Sequence, residues 1–292
     1  MDATSAAYER LIESFVGWAE MEQSIRGAIV IGSRARADHP ADEWSDLDIV
    51  VFATDPGRYS SQADWVANVG NAWLTFVEAT ADGRGLERRV LFEGGLDADF
   101  ALMPVELIRQ AAEEEWPGDA ADALRRGVRV LLDKDGVIGR ALALLPEPAP
   151  AQPPTGEEFA EAVADFWYHA VWTAKHLRRG ELWWARGSCD GHMKRLLQRM
   201  LEWHARATKG ADCDTWLRGR FLEEWADKRA VAELRGAFAH YDETDVWRAL
   251  GATTDLFRWL AGETAQRLGY PYPSFGDERA PECVRRLRAD AR

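Results

Sequence analysis

The stretch from Ile29 to Phe52 constrains this chain more than any other. A short apolar run, Ala28-Ile29-Val30-Ile31, reads as a buried strand and stops at Gly32-Ser33. A polar loop follows. The chain then returns through Ser45-Asp46-Leu47-Asp48 into a second apolar run, Ile49-Val50-Val51-Phe52. Residues i and i+2 of a strand point to one face, so Asp46 and Asp48 stand side by side at a strand start. Two adjacent carboxylates repel unless a cation joins them. Hard oxygen ligands at this spacing suit Mg²⁺, which takes one or two protein carboxylates plus substrate phosphates. Glycine has no Cβ, so the Gly32-Ser33 turn can bring backbone N–H groups close to a phosphate.

Asp-x-Asp by itself is common at solvated strand starts. Here it comes with a strand, a Gly-Ser turn, a loop and a second strand. A third acid, Asp99, lies in Ala98-Asp99-Phe100-Ala101-Leu102, an alternating strand pattern preceded by Val90-Leu91-Phe92. Three carboxylates from neighbouring strands can hold two metal ions across a transferring phosphoryl group.

Gly32-Ser33, Asp46-x-Asp48 and the later Asp99 resemble the nucleotidyltransferase superfamily. Other segments resemble the aminoglycoside 6-adenylyltransferases, the streptomycin-modifying branch: Leu91-Phe92-Glu93, Asp99-Phe-Ala-Leu-Met-Pro, Asp165-Phe-Trp with Ala174-Lys175, and Met200-Leu-Glu-Trp203. Asp255-Leu-Phe257, Leu268-Gly-Tyr270 and Asp277-Glu-Arg279 extend the likeness to nearly the whole chain. Arg186-Gly-Ser-Cys-Asp-Gly191 departs from it. This segment is poor in helix formers, and its two glycines are expected to loosen a substrate-facing helix.

The resemblance implies Mg²⁺-dependent adenylyl transfer from ATP to a hydroxyl of an aminoglycoside, with release of pyrophosphate. It assigns Asp46, Asp48 and Asp99 to the metals, and Gly32, Ser33, Arg34 and Ser45 to the nucleotide. Lys175 is expected to meet a nucleotide phosphate as a point charge. Asp165, Trp172, Glu181 and Asp190 are expected to face the antibiotic. The general base stays open among Asp99, Asp165, Glu181 and Asp190, with Asp190 favoured for its irregular Gly-rich setting. His169, His176 and His192 show no ligand spacing and read as helix surface or cleft lining. Two alternatives remain: a nucleotidyltransferase for another acceptor, and a non-catalytic nucleotide-binding protein. The intact acid triad argues against the second.

Charge supports a cationic small-molecule partner. Residues 1–148 hold 14 Lys/Arg and 27 Asp/Glu, whereas residues 149–292 hold 22 of each, so the whole net charge of −13 lies in the half with the acid motif. Such a half repels nucleic acid, whose binding relies on Lys and Arg, and attracts cations. No apolar run reaches the length of a membrane span, and the N-terminus has no signal-peptide pattern. Cys189, Cys213 and Cys283 show no paired or ligand-type spacing, which fits a reducing cytoplasm. The oligomer is open between monomer and homodimer.

Leu145–Pro154 carries five prolines in ten residues, a composition that reads as a stiff linker. It divides the chain into a nucleotidyltransferase domain, 1–148, and a helical substrate-binding domain, 149–292. The fold expected is α+β: a mixed sheet with flanking helices, then an all-helical domain, with the substrate cleft between them. Strands are expected at Ile25–Ile31, Asp48–Phe52, Trp73–Val77, Arg88–Phe92 and Asp99–Met103, with an edge strand at Val128–Leu132. The turn Asp82-Gly-Arg-Gly85 falls between the third and fourth. In the first half, helices are expected at Ala6–Glu20, from Ser60 to Gly70, and from Pro104 to Glu115. Beyond the linker, Thr155-x-x-Glu158 is a capping box. Phe159, Val163, Phe166, Ala170, Ala174 and Leu177 form one apolar stripe behind it, and Asp165, Tyr168, Trp172 and Lys175 a mixed second one. Further helices are expected at Glu181–Ala185, Met193–Arg206, Asp214–Trp225, Ala230–Tyr241 and Thr244–Leu268.

Overall fold

In the computed structural model, residues 3–80, 83–114, 116, 118–147 and 150–289 are described. The expected turn residue Asp82, the helix end at Glu115 and the boundary pair 148–149 lie outside them. The chain forms two compact units, Met1–Pro148 and Ala149–Arg292.

The first unit is built on a mixed six-stranded sheet: β1 Ile25–Ile31, β2 Leu47–Ala53, β3 Ala72–Ala79, β4 Leu86–Phe92, β5 Leu96–Pro104 and β6 Arg129–Asp133, in the order β3-β4-β5-β2-β1-β6. Only β2 and β5 run parallel. Their register sets Asp48 directly beside Asp99. One face of the sheet packs under α1 (Ala3–Met21), whose Tyr8, Leu11, Ile12, Phe15 and Ala19 are buried with Val30, Ile49, Val51, Phe100 and Leu102. The buried stripe starts at Tyr8. The other face carries Asp48 and Asp99. There Ile29 and Phe52 pack with α3 (Val105–Ala111) and α5 (Val137–Ala143), and Met103 adds to the same cluster. That apolar cover meets the ends of β2 and β5 and leaves the acids at the strand starts.

One helical expectation in this unit changes, and two helices are added. The helix expected from Ser60 begins earlier, as α2 (Pro56–Ser61), because Asp55 caps the Arg58 N–H at 3.2 Å and Pro56 occupies the first turn. It ends at extended Gln62, and Asp64–Asn68 forms a separate 3₁₀ turn. Helices α4 (Gly118–Arg125) and α5 are additional. Helix α5 follows Gly136 in the left-handed region, and the Asp133 carboxylate accepts from the Val137 and Gly139 N–H groups at 2.9 and 3.0 Å.

The second unit is helical: α6 Gly156–Arg178, α7 Leu182–Gly187, α8 Met193–Lys209, α9 Leu222–Trp225, α10 Lys228–Ala237, α11 Glu243–Leu268 and α12 Ser274–Ala289. The capping box at Thr155 and Glu158 starts α6. Its whole expected apolar stripe is buried, and Phe166 stacks on Phe257 of α11 at 3.6 Å between ring centroids. The helix expected over Asp214–Trp225 is mostly absent. Trp216, Arg218, Gly219 and Phe221 have positive φ, which no regular helix accommodates, so only the single turn α9 survives. The glycine-containing Ser188–His192 does loosen the helix, as a π-helical turn joining α7 to α8.

Candidate active site

One carboxylate oxygen each from Asp46, Asp48 and Asp99 lies within 4.8 Å of the other two. The parallel β2–β5 pairing supplies the closeness of Asp48 and Asp99, and Asp46 precedes β2 by one residue. Asp99 is 7% exposed. Burial pushes its carboxyl up to about 7, the Arg89 guanidinium opposes this, and Glu87 and Asp46 add to the rise. Such a group takes either a proton or a cation. An all-oxygen donor set of three converging carboxylates suits a hard divalent ion, so the residues present fit Mg²⁺.

The phosphate side of the site is equally specific. Gly32 has φ of +72°, and a Cβ built on it would lie 2.3 Å from Asp48 Oδ2. Any other residue here would be strained and would displace a carboxylate of the cluster. Beside it, Ser33 Oγ is buried with no hydrogen-bond partner among the described residues. A buried hydroxyl without a partner is unfavourable, and a phosphate oxygen at this turn would satisfy it.

Arg34 and Ser45 are engaged in building the loop. Arg34 Nε donates to the Asp46 carbonyl at 2.9 Å and its NH2 group to the Ser45 carbonyl at 2.6 Å. The same guanidinium lies 3.5 Å from the centroid of the Tyr8 ring. Tyr8 in turn donates to Asp97 at 3.1 Å, and burial, then Asp97, pushes its phenol up to about 12. Ser45 Oγ donates to Asp42 Oδ1 at 2.8 Å. Gly127 keeps the loop close to the sheet: a Cβ there would lie 2.3 Å from the Ala35 carbonyl oxygen.

Two residues join the site that sequence reasoning missed. Arg89, paired with Asp99 across β4–β5, donates to Asp99 Oδ2 at 2.6 Å. Glu87, two residues earlier on the same face, lies 3.5 Å from Arg89; burial raises its carboxyl, and Asp46 adds to the rise. The signal for both was the alternation of Glu87, Arg89 and Leu91 with Arg88, Val90 and Phe92, the latter three being the buried set.

In the second unit, the expected acceptor-side residues lie along α6, α7 and the π-turn. Each acid has its own partner. Asp165 meets His169 and His192. Glu181 pairs with His176 and with Arg179, the latter at 2.7 Å; the His176 contact, then Arg179, holds its carboxyl below the usual range. Asp190 is only 12% exposed and lies 3.4 Å from Arg186 and 3.6 Å from Lys194. Lys194 is itself buried and donates to Thr253 Oγ1 at 2.8 Å and to the Cys189 carbonyl at 3.0 Å. Trp172 packs on His176 at 3.7 Å between centroids, and Lys175 is exposed. Tyr168, Trp183, Trp184 and Tyr241 are each more than half exposed, which is unusual for large aromatics.

No helix among the described residues is long and apolar enough to cross a membrane. The sequence profile described as streptomycin adenylyltransferase matches residues 6–287. An aminoglycoside 6-adenylyltransferase of Bacillus subtilis (strain 168) is 24% identical over 275 residues, covering 92% of this chain and 94% of that protein. One of Campylobacter jejuni is 23% identical over 278 residues, covering 94% and 93%. A crystal structure of an aminoglycoside 6-adenyltransferase from Bacillus subtilis aligns with a TM-score of 0.46 and 20% identity, over 96% of this chain and 98% of that one. The profile match runs through the acid-bearing sheet and the helical unit alike, and on that ground the chain belongs to the streptomycin adenylyltransferase family.

Proposed function

We propose that this protein transfers AMP from ATP to a hydroxyl of a streptomycin-type aminoglycoside, in the cytoplasm, and thereby confers resistance. The observation that carries the reading is the convergence of Asp46, Asp48 and Asp99 beside a glycine at which any larger residue would be strained and would press on Asp48. The acceptor hydroxyl oxygen bonds to the α-phosphorus of ATP, the bond to the pyrophosphate oxygen breaks, and the hydroxyl proton passes to a carboxylate. Asp46, Asp48 and Asp99 would hold Mg²⁺, which would supply charge neutralisation for the phosphates. Gly32 lets the nucleotide phosphates approach, Ser33 donates to one of their oxygens, and Arg34 holds the Asp46 backbone in place. Glu87, 3.5 Å from Arg89 beside the cluster and with its carboxyl raised by burial, is the candidate proton acceptor. The relatives' names support the aminoglycoside as acceptor.

On the helical unit, the exposed aromatic face around Trp172 and Trp184 stacks guanidinium groups, and Glu181 pairs with them. Glu181 suits this better than Asp190, because its side chain is 35% exposed against 12%. Lys175 remains the candidate phosphate contact from this unit.

The test is incubation with ATP, Mg²⁺ and a panel of aminoglycosides, read by mass spectrometry. The expected result is one added AMP on streptomycin with stoichiometric pyrophosphate, and a raised inhibitory concentration when the chain is expressed in a susceptible host. AMP on no aminoglycoside, with ATP still bound, would remove the acceptor assignment.

A further inference from the structure

Helix α6 and the π-turn bring together a second set of metal-type ligands. His169 Nδ1 lies 2.6 Å from Asp165 Oδ1, one helical turn away. His192 Nε2, from the facing segment, lies 3.0 Å from the same oxygen. The two imidazole rings are 3.9 Å apart between centroids, and one ligand atom from each of the three residues lies within 4.8 Å of the others. We propose that Asp165, His169 and His192 bind a divalent transition-metal ion of the zinc class.

The donor chemistry selects the ion. Two imidazole nitrogens and one carboxylate oxygen suit Zn²⁺ and its neighbours rather than Mg²⁺ or Ca²⁺. Tetrahedral zinc with ligands at about 2.0–2.2 Å needs donor-to-donor distances of roughly 3.3–3.5 Å. The two contacts to Asp165 Oδ1, at 2.6 and 3.0 Å, fall short of that by less than about 1 Å. All three side chains are between 27% and 39% exposed, so an ion has a path in and a fourth position stays open to water or a ligand group.

The backbone explains how the set assembles. The i, i+4 spacing puts Asp165 and His169 on one face of α6. Ser188–His192 forms a π-turn, a feature frequent at functional sites. Thr173 Oγ1 donates to Ser188 Oγ at 2.9 Å in the buried seam beneath, which pins that turn against α6 and so fixes the base of His192. Two contacts oppose the ion. His169 Nδ1 lies 3.0 Å from the Asp165 carbonyl oxygen, a hydrogen bond it gives up on ligating, with the ring proton moving to Nε2. Arg195 NH2 lies 3.4 Å from His192 Nδ1 and must move aside, because a ligating Nε2 leaves the proton on Nδ1. Arg195 is exposed and free to swing outward.

The site calls for a test independent of adenylyl transfer. The full chain without an affinity tag, carrying Asp46→Asn and Asp48→Asn to silence the carboxylate cluster, is titrated with Zn²⁺ by calorimetry. The expected result is saturable uptake of one ion per chain. Adding His169→Gln with His192→Gln weakens it by at least about 100-fold, a loss no smaller than removing an outer-shell partner causes, while circular dichroism stays unchanged. Asp165→Asn weakens it too, and Arg195→Ala tightens it. Co²⁺ in place of Zn²⁺ gives tetrahedral visible bands without a thiolate charge-transfer band. No saturable uptake, uptake unchanged in the double histidine variant, or a thiolate band would each overturn the site. A protein that binds Zn²⁺ here but modifies no aminoglycoside would uphold this site and refute the proposed function.

Discussion

The two units treat their carboxylates in opposite ways. In the sheet unit, strand register drives Asp46, Asp48 and Asp99 onto one spot, where Arg89 reaches Asp99. In the helical unit, Asp165, Glu181 and Asp190 are dispersed, and each has cationic or imidazole partners of its own. A parallel strand pair with acids in register concentrates negative charge at one point. Helices place partners at i+3, i+4 or on a facing segment and neutralise each acid locally. The first arrangement calls for an external cation. The second leaves acids whose loss is felt one at a time.

The sharpest way to break this contrast is mutation within the cluster. Asp48→Asn and Asp99→Asn should each lower kcat by at least about 1,000-fold with the fold intact, and the double variant should be little worse, since residues acting as a unit lose activity non-additively. Additive losses measured by steady-state kinetics would mean the carboxylates act separately. Gly32→Ala comes next. Its Cβ would press on Asp48 Oδ2 and its φ of +72° would be strained, so ATP affinity should fall by at least about tenfold and stability by about 1 kcal/mol or more. Wild-type ATP affinity by calorimetry would detach the turn from the phosphates. Glu87→Gln should lower kcat by about 100-fold, within the usual range for a proton acceptor, and leave ATP binding unchanged.

The helical unit should respond more mildly. Glu181→Gln should raise the aminoglycoside KM by about tenfold, equivalent to about 1.4 kcal/mol, with kcat unchanged. Asp190→Asn should instead lower the thermal midpoint, because it removes the carboxylate charge 3.6 Å from buried Lys194. If the two exchange roles, Asp190 is the contact and Glu181 is scaffold. The smallest effect belongs to Asp245, which accepts from Arg248 Nε at 2.6 Å and the His240 N–H at 2.7 Å. The Arg248 contact, then His240, holds its carboxyl below the ordinary range. A depressed folded-state value stabilises above the unfolded carboxylate pKa of about 3.9 and loses that stabilisation as pH falls through the folded value. Asp245→Asn should therefore lower the thermal midpoint slightly at neutral pH, and the gap should close in strong acid.

Much of this protein was legible in its residues. Alternation and apolar runs located all six strands, because a half-buried strand repeats every two residues whatever it pairs with. The capping box at Thr155 and the stripe from Phe159 to Leu177 located α6 for the same kind of local reason. Asp46 and Asp48 were readable as a pair from their spacing behind a Gly-Ser turn, and Asp99 from its own strand pattern and the family resemblance, but the β2–β5 pairing is what brings Asp99 to Asp48. Other features depended on partners distant in sequence. The pairing of β4 with β5 set Arg89 on Asp99 and Glu87 nearby, and no local pattern names a strand's neighbour. The positive-φ residues at Trp216, Arg218 and Phe221 removed a helix that composition alone favours. Ser45 and Arg34 were readable as polar loop residues, but only the folded loop shows that Asp42, Tyr8 and the Asp46 carbonyl occupy them. His169 and His192 showed no ligand spacing because their separation of 23 positions in the chain has no meaning along a helix. Packing of α6 against the π-turn brought their rings together, and contacts of that kind are decided by tertiary structure alone.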